Sequence, residues 1–141
     1  MARSETRPVP QPTPETQHFW DGLAERRILI QHCTPCDRAY FPPRNHCPFC
    51  GGTAVEVVRA SGAATLYSFV VSNHRVPGFA RPNVVAVAAL AEGPRLMTQI
   101  VDVAPDPANL TIDMPLEPVF EDLPEGPTLL HFRPAPNGAA R

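Results

Sequence analysis

Four cysteines, the only ones in this 141-residue chain, form two C-x-x-C pairs. Cys33 and Cys36 make the first pair, and Cys47 and Cys50 make the second. A C-x-x-C loop turns both of its thiolates toward one point, so two facing loops supply the four soft ligands of a tetrahedral metal site. The spacing therefore predicts a metal site formed by all four cysteines, with no thiol left over for chemistry.

Short apolar segments position the two pairs. Residues 28–30 are predicted to form a strand that leads into the first pair, and residues 40 and 41 its return strand. Such a module lacks a core, so its fold depends on the metal, which contributes about 10–16 kcal/mol of apparent binding free energy in comparable modules. The C-P-F-C-G segment resembles that of rubredoxin, which holds iron, so zinc is predicted and iron is the alternative. His32 and His46 each precede a cysteine and are expected at the surface, because four thiolates complete the site.

Composition excludes several function classes. The formal charge is −2, which gives no electrostatic reason to expect nucleic acid or an anionic membrane as a partner. All 12 basic residues are arginine, so lysine-based chemistry such as a Schiff base is excluded. The first residues lead into no apolar run, and no segment has the length of a membrane span, so a cytoplasmic protein without membrane contact is expected.

Prolines mark the ends of the folded region. Residues 1–12 are predicted to be a disordered, Pro-rich tail and residues 135–141 a flexible one. Between them, residues 13–53 should hold a helix and the metal-binding ribbon. The helix is predicted to begin with Thr13 as N-cap and to end near Arg26. Phe19 and Trp20 lie on its apolar stripe, where they either dock the helix on its own domain or contact a partner.

Residues 54–134 are predicted to be all-β. Segments 55–59 and 65–71 flank Gly62 and form one bent strand or two short ones, and the other predicted strands are 84–91, 95–103, 116–121 and 128–132. This order, with a loop at 104–115 before the last two strands, favours a five-stranded OB-fold barrel over a β-sandwich. Because residues 84–91 are apolar without interruption, that strand is expected to be covered on both faces. The barrel core would cover one face, and the N-terminal helix, the ribbon or another chain would cover the other, with coverage by this chain itself favoured.

The loop 72–83 is the other segment with chemical potential. It contains His74, Arg75, Phe79 and Arg81, and arginine is suited to bidentate contact with phosphate. We interpret these residues as a candidate contact for a ligand or partner. The motifs of serine hydrolases, phosphate loops and zinc proteases are absent from the sequence, and His74 has no evident catalytic partner. The chain is therefore not expected to be catalytic alone.

Several motifs in order indicate a family. In the N-terminal half they are F-W-D-G-L at 19–23 and the two cysteine pairs. In the barrel they are Y-S-F-V-V at 67–71 and R-P-N-V-V-A-V-A-A-L at 81–90, followed by M-P-L-E-P-V-F-E and F-R-P. Over residues 15–134 the chain resembles small proteins that join a rubredoxin-like zinc ribbon to an OB-fold and associate with acyl-CoA enzymes. Asp113 and Ala64 stand where that family commonly has glycine, which concerns the local backbone of two barrel turns.

The resemblance implies an accessory subunit. Members of this family bind thiolase-superfamily enzymes, either condensing enzymes or steroid side-chain retro-aldolases, and help to form the acyl-CoA site. The chain is thus expected to be a non-catalytic part of a hetero-oligomer with a structural zinc, a CoA thioester being the ligand shared with its partner. The alternative is a single-stranded nucleic-acid-binding protein, because OB-folds and zinc ribbons also serve that function.

Overall fold

The structure, a computed structural model, describes residues 7–136. Its elements follow one another as α1 (Gln17–Ala24), β1 (Ile28–Cys33), β2 (Arg38–Tyr40), β3 (Val55–Ala60), β4 (Ala64–Ser72), β5 (Asn83–Leu90), β6 (Arg95–Ile100), a 3-10 turn (Pro107–Asn109), β7 (Pro115–Asp122) and β8 (Thr128–Pro134). Over the described residues, no helix has both the length and the apolar character needed to cross a membrane.

Helix α1 is shorter than predicted. Thr13 and Thr16 form a turn of their own, in which the Thr16 N–H donates to the Thr13 carbonyl at 3.0 Å, and the helix begins only after it. At the other end, the N–H of Arg27 donates to Gly22 O and that of Arg26 to Leu23 O, the pattern of a Schellman motif. Arg26 occupies the left-handed position of that motif, with φ 63°, so the chain leaves the helix before the predicted end.

A three-stranded antiparallel sheet carries the cysteine pairs. Its order is β2-β1-β3, and Cys33 at the end of β1 lies opposite Val55 at the start of β3. The choice left open around Gly62 is thereby decided, because β3 belongs to this sheet and β4 to the barrel. Gly62 lies between them with φ 93°, a conformation that glycine adopts at little cost.

The remaining five strands close into a barrel, which confirms the predicted fold. Their order is β4-β5-β6-β8-β7, and a parallel pairing of Ile100 with Phe132 joins β6 to β8. The loop before β7 holds one short 3-10 turn, as its prolines predict. A register shift at Tyr67 in β4 bends that strand and brings the tyrosine ring to the surface.

One apolar core underlies both sheets and the helix. Phe19 and Leu23 of α1 and Ile28 and Ile30 of β1 belong to the same buried cluster as the barrel interior. Strand β5 is fully covered by this chain only on its core side, so the favoured coverage by the chain itself is wrong, and coverage by another chain stays a prediction. Its core-facing side chains are buried, but the alternate ones are only half-buried, because the helix and the ribbon pack elsewhere and leave the outer face of the barrel open.

The N-terminal segment 7–12 has no helix or strand. Arg7 nevertheless forms an ion pair with Glu121 of β7, and its guanidinium lies 5.5 Å from the centre of the Phe79 ring. Of the predicted C-terminal tail, residues 135 and 136 are described, and the N–H of Ala135 donates to Pro115 O at 2.9 Å. The rest of the two predicted tails, residues 1–6 and 137–141, lies outside the described residues.

Candidate functional site

The two cysteine loops have the same backbone design. In the first, the N–H of Asp37 donates to Cys33 O at 2.8 Å, and in the second the N–H of Gly51 donates to Cys47 O at 2.8 Å. Asp37 (φ 55°) and Gly51 (φ 76°) both have left-handed backbone conformations directly after the second cysteine of their pair. The loops are thus two copies of one turn, and each directs its sulfurs inward.

The four sulfurs lie within 4.8 Å of one another. The Sγ atoms of Cys33 and Cys50 are 3.7 Å apart, and those of Cys36 and Cys47 are 3.9 Å apart. A tetrahedral zinc with Zn–S bonds of about 2.3 Å requires sulfur separations of about 3.8 Å. The sulfurs also accept backbone hydrogen bonds, from Phe49 N to Cys47 Sγ at 3.3 Å and from Gly52 N to Cys50 Sγ at 3.4 Å. The residues therefore fit a thiolate-bound metal.

The thiols perturb one another's ionisation. A hydrogen bond with Cys50, followed by desolvation, raises the pKa of Cys36 to about 12. Desolvation opposes ionisation of Cys47, but backbone hydrogen bonds from Cys50 and Phe49, together with hydrogen bonds from the Cys33 and Cys50 side chains, outweigh it and lower the pKa of Cys47 to about 7. Four thiols this close cannot all ionise without a compensating positive charge. A bound cation would provide that charge, so the arrangement favours metal over free thiols.

Polar contacts brace the metal end. The Tyr40 hydroxyl donates to Arg44 O at 2.7 Å, and the buried Gln31 side chain accepts from Arg44 N. The Arg38 guanidinium lies 3.6 Å from the centre of the Phe49 ring, which links the two cysteine loops. These contacts join the loop that follows β2 to β1 and to the second cysteine loop.

Neither neighbouring histidine belongs to the sulfur cluster. His32 Nε2 lies 2.9 Å from Asp37 and Nδ1 lies 3.2 Å from Glu56, and the pKa of His32 is raised, chiefly by the Asp37 carboxylate. His46 is exposed on the second loop. From the sequence, both histidines are possible metal ligands. In the structure His32 instead bridges the carboxylates of Asp37 and Glu56.

The residues of the 72–83 loop do not form one cluster. His74, Arg75 and Arg81 are exposed, and within residues 7–136 their side chains make no hydrogen bond or ion pair. Phe79 is half-buried and contributes to the wall of a cavity. The loop therefore offers unneutralised guanidinium groups at the surface and one aromatic ring that faces inward.

Phe19 and Trp20 are divided between two environments. Phe19 is buried and packs on Phe41, with ring centres 5.0 Å apart, so it docks the helix on its own domain. Trp20 is half-buried and lines the same cavity as Phe79. This cavity of about 420 Å³ lies between α1, the loop after β2, and strands β6 and β8.

Two further structural features were not predicted as such from the sequence. The first is an apolar surface on β4, β5 and β6, which we call the outer face; Tyr67, Val70 and Met97 are exposed there, and Val85 and Val87 are half-buried. The uninterrupted apolar run of β5 was its sequence signal. The second is a buried histidine, His131, on β8, which no motif marks.

Comparison with known proteins identifies the family. A model of the ChsH2 rubredoxin-like zinc ribbon domain matches residues 20–56, and one of the ChsH2 C-terminal OB-fold domain matches residues 57–121. A DUF35 domain-containing scaffold protein of Methanocaldococcus jannaschii is 36% identical over 110 residues, which cover 75% of this chain and 77% of that protein. The chain belongs to the DUF35 family. The zinc-ribbon match also supports zinc binding by the four cysteines.

Other DUF35 relatives carry enzyme names. A probable enoyl-CoA hydratase alpha subunit of Thermomonospora curvata is 38% identical over 132 residues, which are 92% of this chain but only 40% of that protein. A solved structure named Ltp2-ChsH2(DUF35) aldolase is 34% identical, covers 89% of this chain and 98% of the matched chain, and superposes with a TM-score of 0.79. The resemblance found in the sequence is confirmed, and the chain spans less than half of the hydratase subunit.

Proposed function

We propose that this chain is a non-catalytic accessory subunit that binds a thiolase-superfamily enzyme and helps to form its acyl-CoA site. The partner would be a condensing enzyme or a steroid side-chain retro-aldolase, and the assembly a hetero-oligomer. The likeness over 98% of the DUF35 chain in a structure named as an aldolase carries the proposal. The names scaffold and alpha subunit among the relatives agree with an accessory function.

The outer face is the surface we assign to the partner enzyme. Val70 pairs with Val85, and Val87 pairs with Met97, so apolar side chains from three strands lie side by side, with Ser68 and Gln99 as their polar neighbours. Met97 is 74% exposed and Val70 is 60% exposed. An apolar area of this kind on a folded barrel is typical of a protein interface.

The loop 72–83 would contact the CoA. Arg75 and Arg81 carry guanidinium groups without an ion-pair partner in residues 7–136, and CoA presents phosphates that such groups bind well. His74 lies beside Arg75 and could add a hydrogen bond. The acyl-CoA would then be held by both chains.

The metal's contribution would be structural. Cys33, Cys36, Cys47 and Cys50 would hold Zn²⁺, which supplies four strong bonds to a segment that has little core of its own. The packing of Phe19 on Phe41 would keep the loop after β2 against α1. The barrel would present its outer face to the partner.

Co-expression tests the partner assignment. The chain is expressed together with a thiolase-superfamily enzyme from the same organism, and complex formation is measured by size-exclusion chromatography. We expect the unsubstituted chain to co-elute with the enzyme and M97D to reduce the affinity at least tenfold, since a carboxylate would be buried at the interface. V57D is the matched control, because Val57 is an exposed valine (47%) on the ribbon sheet.

Two results would contradict the proposal. One is a monomeric chain that leaves the solubility and activity of the enzyme unchanged. The other is a complex that M97D and V57D weaken equally, which would remove the outer face as the interface.

Substitution of Arg75 and Arg81 by glutamine should raise the KM for the CoA thioester while complex formation is unchanged.

A further inference from the structure

The N-terminal segment 7–12, which we call the strap, is attached to the barrel although it has no helix or strand. Both terminal nitrogens of Arg7 donate to the carboxylate of Glu121 on β7, Nη1 at 3.3 Å. The side chains of this pair are only 23% and 37% exposed, so salt and water screen it less than a pair at the open surface. Glu121 is also held from β8, because Nε2 of His131 lies 2.7 Å from its Oε1. Arg7 is therefore anchored to the barrel wall.

A second attachment of the strap lies at the loop between β7 and β8. Val9 approaches Gly126 so closely that a methyl group on this glycine would collide with Val9 Cγ1. Residues 9–12 also line a groove that they share with α1 and with this loop. The strap thus runs from the start of the helix, past the loop between β7 and β8, to Glu121 on β7.

At its far end the strap contacts the loop 72–83. This loop contains a turn in which the N–H of Phe79 donates to Val76 O at 3.1 Å and Gly78 has φ 80°, as the third residue of a type II turn does. A Cβ on Gly78 would collide with the backbone nitrogen and the side chain of Arg7, so the strap lies directly against the turn. The guanidinium of Arg7 is also 5.5 Å from the centre of the Phe79 ring, within the range of a cation–π contact.

The rest of this loop has little else to hold it. Among residues 73–82 every residue except Phe79 is exposed. Arg75 and Arg81 lie on either side of the turn, so a turn held in place limits the positions that both guanidinium groups can reach. A loop that is ordered before its ligand arrives loses less conformational entropy on binding. Contacts of the strap with the turn would therefore favour ligand binding by the two arginines.

We propose that the strap holds the loop 72–83 in place for CoA binding, with Arg7 as the positioning residue. The inference rests on the proposed function in one respect, namely that Arg75 and Arg81 contact the CoA. Arg7 itself contacts Glu121 and the turn, and it acts on the ligand only through the loop. The strap should consequently affect the affinity for the CoA thioester and leave assembly with the partner enzyme unchanged.

Amide hydrogen exchange in the full zinc-bound chain, without a partner enzyme, tests the contact with the loop. The probe is the N–H of Phe79, whose hydrogen bond closes the turn. We expect R7Q to raise its exchange rate about tenfold, as the loss of a charged hydrogen bond allows. R59Q removes an exposed arginine from the ribbon strand β3 and should leave the rate unchanged. An R7Q rate equal to that of the unsubstituted chain would overturn the proposal.

Glycine substitutions test the course of the strap. G126A should raise the exchange rate of Phe79, because its methyl group displaces Val9, and adding V9A should reverse that rise. G93A is the matched control, since Gly93 also has a positive φ, but a methyl group there meets nothing within 4 Å. Equal rates in G126A and G93A would contradict the attachment at Gly126. If G126A does not fold, the rate in R7Q decides by itself.

Turnover by the complex separates this inference from the proposed function. R7Q should raise the KM for the CoA thioester about fivefold, with kcat and complex formation unchanged. A KM that rises when Arg75 and Arg81 are replaced by glutamine, but not in R7Q, would overturn the positioning role. If neither change alters the KM, the CoA contact of the proposed function fails, and the exchange rate of Phe79 still decides whether the strap holds the loop.

Discussion

The metal end, residues 33–52, and the barrel, residues 64–134, are stabilised in different ways. Within the metal end the buried side chains are few, and they are Cys33, Tyr40, Pro43 and Cys47. The barrel buries large aliphatic and aromatic side chains from every strand, with Leu66, Leu116 and Phe132 fully enclosed. The first region therefore depends on four bonds to one ion and the second on apolar burial spread over many residues.

This difference assigns separate tasks to the two regions. The barrel has its own apolar core, so we expect it to hold its fold without a ligand and to present the outer face to a partner. The metal end holds Phe41, Pro42 and Pro43, which form part of the cavity wall through the loop after β2. Metal binding would thus shape the cavity, although no metal ligand lies in its wall.

Metal removal should have the largest effect and would show how separate the regions are. We expect C47S, or treatment with a strong chelator, to abolish metal binding and to unfold residues 34–52, because about 10–16 kcal/mol of binding free energy is lost in such modules. The barrel should stay folded. Amide hydrogen exchange read along the chain, together with metal content, measures both outcomes.

H46A is the control for C47S, because His46 precedes the cysteine but lies outside the sulfur cluster. It should bind one metal ion per chain as the unsubstituted protein does. Cooperative loss of protection in the barrel strands upon metal removal would contradict the separation of the two regions.

Much of this fold could be predicted because its signals are local. The spacing of the cysteines predicts two loops that face one ion, and the structure brings all four sulfurs together. Five apolar strands in the right order, with prolines in the loop before the last two, indicate the barrel. Even the departure at Asp113 is accommodated locally, since this residue adopts the left-handed conformation (φ 69°) that a glycine would take.

What escaped prediction depends on contacts distant in sequence. Whether residues 55–60 join the ribbon or the barrel is decided by their pairing with β1, which the apolar pattern does not encode. The uncovered side of β5 depends on where α1 docks. His131 and Glu121 lie 10 residues apart and meet only because β7 pairs with β8, so no spacing rule marks them.

A substitution that opens a cavity in the barrel core should have the next largest effect. It should destabilise the barrel and leave the metal end unchanged, the opposite of metal removal. Leu66 is fully buried on β4, so L66A should reduce the free energy of unfolding by about 2–5 kcal/mol through lost burial and an unfilled space. Metal affinity should be unchanged, because the sulfurs are held by their own turns. Denaturant unfolding followed by barrel and metal signals separately measures this. T65A is the neighbouring control on the opposite side of the strand, and a tenfold loss of metal affinity in L66A would show that the regions are coupled.

The smallest expected effect concerns the ion pair that joins the end of α1 to strand β7 of the barrel. The guanidinium of Arg26 contacts both carboxylate oxygens of Asp122, at 2.8 and 2.7 Å, and lowers the pKa of Asp122 to about 2. Because this pKa lies below the ordinary 3.8, the pair stabilises the fold above that pH and is lost only as the pH falls from about 3.8 to 2. Both side chains are exposed, so we expect a weak coupling between R26Q and D122N in a double-mutant cycle, and 0.5 M salt should abolish it. If the coupling between R26Q and D122N persists in 0.5 M salt, it does not arise from charge. Arg26 would then act through the left-handed turn that it forms after α1.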